Sequence, residues 1–212
     1  MTSSTDLAAL LCSRLCHDLM SPVGALGNGL ELLASEEDPE MRQHCLDLVG
    51  RSAQASAAKL RFFRLAFGSA GGFEDDVPMQ EPHDVLAALA AQDGKVSLEW
   101  AVEAESLPKS AVKVMLNLAS IGLDTLVRGG TLVVGAERRD EATEIVVRAS
   151  GPRLAFSQDT SAALEGTLGE HERSARTAPA TLVRMLAEEQ GGDVQFAKAD
   201  DALIMGAVLP NA

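Results

Sequence analysis

His17 and Asp18 are adjacent, and Pro22 follows five residues after the histidine, in a stretch that reads "HDLMSPVGA". An imidazole is uncharged and nucleophilic near neutral pH. A neighbouring carboxylate can accept its proton or hold it in one tautomer. The pair suits nucleophilic catalysis, and phosphoryl transfer in particular: a phosphoramidate formed on the ring can hand its phosphoryl group onward, given in-line geometry and an electrophile-bearing partner. Such chemistry needs an open face. On a helical wheel His17 lies about 200° from both Leu15 and Leu19, so it points away from any stripe they build. Its neighbours on that face include Ser13, Arg14, Met20, Ser21, Gly24 and Asn28, most of them small or polar. Gly24, Gly27 and Gly29 each cost a helix about 1 kcal/mol relative to alanine, and three in one stretch imply that something comes close. Arg14, Met20, Ser21, Gly24 and Asn28 are therefore the candidate partner-docking residues around His17, Met20 for its adaptable contacts. Pro22 has no N–H to offer the carbonyl of Asp18 and is expected to bend the helix and shape the site.

The element that must carry His17 is marked by Leu7, Leu11, Leu15, Leu19, Val23, Leu26, Leu30 and Leu33, a stripe at spacings of four and three. "SEED" interrupts it. Asp38 then predicts an N-cap and Pro39 a first helical residue. The second helix carries Leu46, Val49, Ala53, Ala57, Leu60, Phe63 and Phe67 and stops near Gly68. The short linker predicts an antiparallel hairpin over residues 1–70. Two helices cannot cover both stripes, so a second copy is expected: a homodimer whose hairpins form a four-helix bundle. "GSAGG" predicts a flexible joint.

Residues 75–212 mix helices and strands. "PHDVLAALAAQ" reads as a helix, "KVSLEWAVE" as a strand and "KSAVKVMLNLASIGLDTLV" as a helix closed by Arg128, Gly129 and Gly130. "GTLVVGAERR" and "TEIVVRAS" read as a β-hairpin and "APATLVRMLAEEQGG" as a helix. "DVQFAKADDALIMGAVLP" reads as a second hairpin turning near Asp200 and Asp201. This order predicts an α+β chain: the helical hairpin, then an α/β sandwich with helices on one sheet face.

Composition narrows the function. A net charge of −13 argues against nucleic acid and against anionic membranes, and favours a partner with a basic patch. No apolar run approaches the roughly 20 residues of a membrane span, and "MTSSTDLAAL" lacks the marks of a signal peptide. With three cysteines, an odd number, these features predict a cytoplasmic protein. Cys12, Cys16, His17, His44 and Cys45 invite a metal reading, but no second compact ligand pair follows and free cysteines beside an apolar stripe read as core. No bound metal or other cofactor is expected. His83 and His171 belong to no motif, and Arg61 and Arg64 suit a helix C-terminus.

"HDLMSPVGA" resembles the phosphoacceptor box of histidine kinases, and its "HDL…SPVGA" form resembles the histidine phosphotransferases of the alphaproteobacterial cell-cycle phosphorelay, the ChpT type. The resemblance spans nearly the whole chain and implies that residues 75–212 have the shape of a kinase ATP-binding domain. The nucleotide motifs depart from the kinase pattern. "NLASIG" keeps Asn117 but has Ile121 where a magnesium ligand stands. "ASGPRL" has Ala149 where an adenine-reading aspartate stands, and Arg153 for a glycine. "TAPA", Thr177 to Ala180, has no glycine where the phosphate lid belongs. The resemblance therefore implies a phosphorelay phosphotransferase without nucleotide chemistry. His17 is the implied phosphoacceptor, taking the group from the receiver domain of a hybrid histidine kinase and passing it to response-regulator aspartates. Asp18 has a catalytic or orienting part, and magnesium is supplied by the receiver. Two rivals remain: an active ATP-dependent histidine kinase whose motifs are displaced, and a scaffold that docks receivers without transfer.

Overall fold

The structure is a computed structural model that describes residues 4–68, 76–92 and 94–211. Most of the "GSAGG" joint lies outside the described residues. Helix α1, Ser4–Ser35, and helix α2, Pro39–Ala66, form the expected hairpin. Asp38 caps α2 by accepting from the backbone N–H groups of Glu40 and Met41, and Pro39 follows it. The helices approach closely at Gly29, where an added Cβ would sit 2.8 Å from Val49 Cγ2. That glycine serves helix packing, whereas Gly24 and Gly27 have no atom within 4 Å of a Cβ position.

Strand β1, Asp76–Pro78, pairs with β3, Ser106–Pro108, in a small two-stranded sheet that sequence reading missed. Between them lie helix α3, Gln80–Ala91, and strand β2, Val96–Val102. The chain continues through α4, Lys109–Thr125, β4, Gly130–Arg138, β5, Ala142–Ser150, and the unanticipated helix α5, Gln158–Glu165. It ends with α6, Ala178–Glu189, β6, Asp193–Lys198, and β7, Ala202–Pro210. The main sheet has the order β2-β4-β5-β7-β6, antiparallel except for the β2–β4 pair. That parallel pair follows from the α4 crossover. A glycine pair ends the crossover: Gly129 has φ +81°, and a Cβ on Gly130 would meet Ser150 O at 2.1 Å.

One sheet face is buried under the helices. Leu132, Val134, Val147, Leu203 and Met205 are sealed there against Met115, Leu116 and Leu118 of α4. On the other face Val146, Ile204 and Val208 remain exposed. This is the two-layer α/β sandwich expected. Asn117 Nδ2 donates to Ala66 O at 3.2 Å, so α4 holds the last turn of α2. Arg64 of α2 also pairs with Glu81 of α3.

The hairpin, by contrast, leaves apolar side chains in the open. Val23 and Leu30 on α1, and Leu46, Ala53 and Leu60 on α2, are exposed and recur every seven residues. Val23 of the α1 stripe is half exposed in the single chain.

Candidate functional site

α1 runs through Pro22 without a break. A proline has no N–H for the carbonyl four residues back, so the carbonyl of Asp18 loses its helical partner. Lys59 of α2 replaces it, donating from Nζ at 2.9 Å. The helix therefore passes the proline with that acceptor satisfied, and the hairpin is tied together beside His17.

The imidazole of His17 stands out from α1 with 78% of its side chain exposed. Its Nδ1 lies 3.0 Å from Asp18 Oδ1. An ionised carboxylate can only accept, so with Asp18 ionised Nδ1 is the donor here and Nε2 is the ring nitrogen this contact leaves free. Asp18 is held in turn. Arg14 Nε donates to Asp18 Oδ2 at 2.6 Å, and Arg14 Nη2 donates to Asp124 Oδ2, also at 2.6 Å. Asp124 belongs to α4, so the chain His17–Asp18–Arg14–Asp124 reaches from the hairpin into the second domain.

Arg14 differs in placement from its expected role. Its side chain is only 13% exposed and both carboxylates engage it. Burial opposes its charge, but Asp124 and Asp18 outweigh burial and hold its pKa above the ordinary arginine value. It braces the site between two elements. Met20, 69% exposed, and Ser21, Gly24 and Asn28 lie on the open surface as expected.

A cleft of about 520 Å³ opens at this point, lined by Arg14, His17, Asp18, Asp124, Ser174, Ala175 and Arg176. The last three come from the segment before α6, and Arg176 is exposed. Sequence reading found neither Arg176 nor Asp124, since more than a hundred residues separate them from His17. Lys59 had a usable signal: Pro22 announces a carbonyl in need of a donor.

At the stretches that resemble kinase nucleotide motifs, the side chains pack inward. Asn117 is fully buried and donates to the Ala66 and Lys113 carbonyls. Ile121 and Ala149 are core residues, and a Cβ on Gly122 would meet Leu132 Cδ1 at 2.6 Å. Thr177 to Ala180 are buried at the start of α6. Asn117 Oδ1 is buried without a hydrogen-bond partner, but Ile121 and Ala149 offer no oxygen ligand beside it and Thr177 to Ala180 are buried, so these residues do not fit a magnesium–nucleotide site. Cys45 is buried, but Cys12 and Cys16 are exposed and not core. Among the described residues, no group of three or more His, Cys, Asp or Glu could hold a metal ion, and no helix is long and apolar enough to cross a membrane.

Residues 79–202 match the family described as "Histidine phosphotransferase C-terminal domain". The chain is 34% identical over 200 residues to the protein phosphotransferase ChpT of Brucella abortus (strain 2308), covering 94% of each. The chain belongs to the histidine phosphotransferase family. Its fold agrees: a structure titled as that of a bacterial phosphotransferase superposes with a TM-score of 0.85 at 31% identity, covering 98% of both chains. Full-length ShkA, solved in complex with AMPPNP, matches in fold at a TM-score of 0.50 and 18% identity, over 99% of this chain and 46% of that one.

Proposed function

We propose that this protein relays phosphoryl groups between receiver domains, with His17 as phosphoacceptor. The observation that carries the reading is the exposed imidazole whose Nδ1 is engaged by Asp18, which leaves Nε2 for a phosphoryl group. In the forward step Nε2 attacks the phosphorus of an aspartyl phosphate on the donor receiver. The N–P bond forms as the P–O bond to the aspartate breaks, and the aspartate leaves as a carboxylate. The ring then carries a positive charge, its Nδ1 proton held by Asp18. In the second step the carboxylate of an acceptor receiver attacks phosphorus, the N–P bond breaks and the neutral imidazole returns. Arg176, an exposed cation lining the cleft, is suited to offset charge on the equatorial oxygens. Magnesium is supplied by the receiver.

The donor is the receiver domain of a hybrid histidine kinase and the acceptors are response regulators of a cell-cycle phosphorelay in the cytoplasm. The relationship to ChpT supports this assignment. The working unit is a homodimer with a four-helix bundle, supported by the heptad-spaced Val23, Leu30, Leu46 and Leu60 left open on the hairpin. Residues 1–70 form the dimerising and phosphotransfer unit, and residues 75–212 dock against it.

The test mixes the protein with a phosphorylated receiver and follows acid-labile label. Transfer to the wild type and none to His17→Ala is the expected result. Label persisting in His17→Ala overturns the assignment.

A further inference from the structure

We infer that Asp124, on the sheet domain, is a positioning residue for His17 and acts through Arg14 and Asp18. The inference rests on the reading of His17 as phosphoacceptor and extends its site into the second domain.

The geometry divides one guanidinium between two carboxylates. Arg14 spends Nε on Asp18 and Nη2 on Asp124, each at 2.6 Å. Only Oδ2 of Asp18 is taken, so Oδ1 stays free for Nδ1 of His17 at 3.0 Å. A guanidinium fork otherwise favours a bidentate grip on a single carboxylate. Asp124 prevents that grip. It holds the Nη2 edge away from Asp18, fixes the plane of the Asp18 carboxylate and so fixes the tautomer of the imidazole. Asp124 is in turn held in place by α4, whose Leu116 and Leu118 are sealed in the sheet-domain core. Ile121 and Ala149 are packed inward, whereas the surface of the domain at Asp124 reaches the Arg14 that holds Asp18. The sheet domain thus contributes to the chemistry by holding one end of an ion chain, and the histidine is correctly set only while the domain is docked on the hairpin.

Asp124 is not called catalytic, since it touches no reacting atom. The experiment uses the full-length protein and three readouts: ring ¹⁵N shifts of His17 for the tautomer, the single-turnover transfer rate at saturating phosphorylated receiver, and receiver affinity by titration. In Asp124→Asn, which keeps the shape and removes the charge, the Nδ1–H share falls, the saturated rate drops roughly tenfold, as expected for a partner that orients a functional histidine at one remove, and affinity is unchanged. Asp124→Glu recovers most of the rate. Arg14→Ala gives a similar defect, and adding Asp124→Asn to it has little further effect, because the two act on one chain. A wild-type tautomer and rate in Asp124→Asn overturn the inference. So does a loss confined to receiver affinity, which would make Asp124 a docking residue, and so does full additivity with Arg14→Ala. His17→Ala run in parallel separates the two ideas: label persisting there defeats the phosphoacceptor reading, while the tautomer measurement still judges the Asp124 anchor.

Discussion

Two regions of this chain resemble motif-bearing stretches of histidine kinases, and they are built in opposite ways. Around His17 the surface is open, polar and braced by ion pairs, with a cleft lined by both domains. Around Asn117, Ile121 and Ala149 the side chains have turned into the core. The first region is open, with few apolar side chains buried around the imidazole. The second is buried apolar contact, which at about 25 cal/mol per Å² stabilises a sandwich with few aromatics. Asn117 shows the change in one residue: an amide that could face a ligand instead joins α4 to the end of α2.

If that contrast is right, substitutions in the two regions separate activity from stability. The largest effect is His17→Ala, which abolishes phosphoryl labelling while moving unfolding by chemical denaturation less than about 0.5 kcal/mol, as for an exposed site. Leu116→Ala, in the sealed core, does the reverse. It costs about 2–5 kcal/mol in the same denaturation measurement and lowers labelling only in proportion to the fraction unfolded. Gly122→Val overpacks α4 against Leu132 and costs about 1–3 kcal/mol, read as a lower melting temperature. Lys59→Met removes the donor to the Asp18 carbonyl and costs about 1 kcal/mol; in a Pro22→Ala background that cost shrinks, because the helix then supplies its own N–H. Met20→Ala is the smallest in stability, within about 0.5 kcal/mol, and weakens receiver binding in a titration without slowing transfer at saturation. A core substitution that spared stability and stopped transfer would break the contrast.

Much of the architecture was legible because it is written locally. The Asp38–Pro39 start of α2, the sheet hairpins and the turn near Asp200 each depend on a few adjacent residues. Elements with weak periodicity, β1, β3 and α5, were missed; two are three-residue strands that exist only by pairing with one another. Val23 and Leu30 of the α1 stripe are exposed in the single chain, since spacing gives a face but not what covers it. Arg14 was placed on the right helix face yet faces α4, because a flexible guanidinium follows the nearest carboxylates and not the wheel.

The order of residues in "HDLMSPVGA" was sufficient to set an imidazole beside a carboxylate on an open helix face, since neighbours along a helix are fixed by its pitch. The tertiary structure alone decided that Arg14 would be shared with Asp124, that Lys59 would serve the carbonyl freed by Pro22, and that Arg176 would line the cleft. Those contacts join segments distant along the chain, and their geometry is set by how α1 and α2 pack in the hairpin and how the hairpin meets the sheet domain.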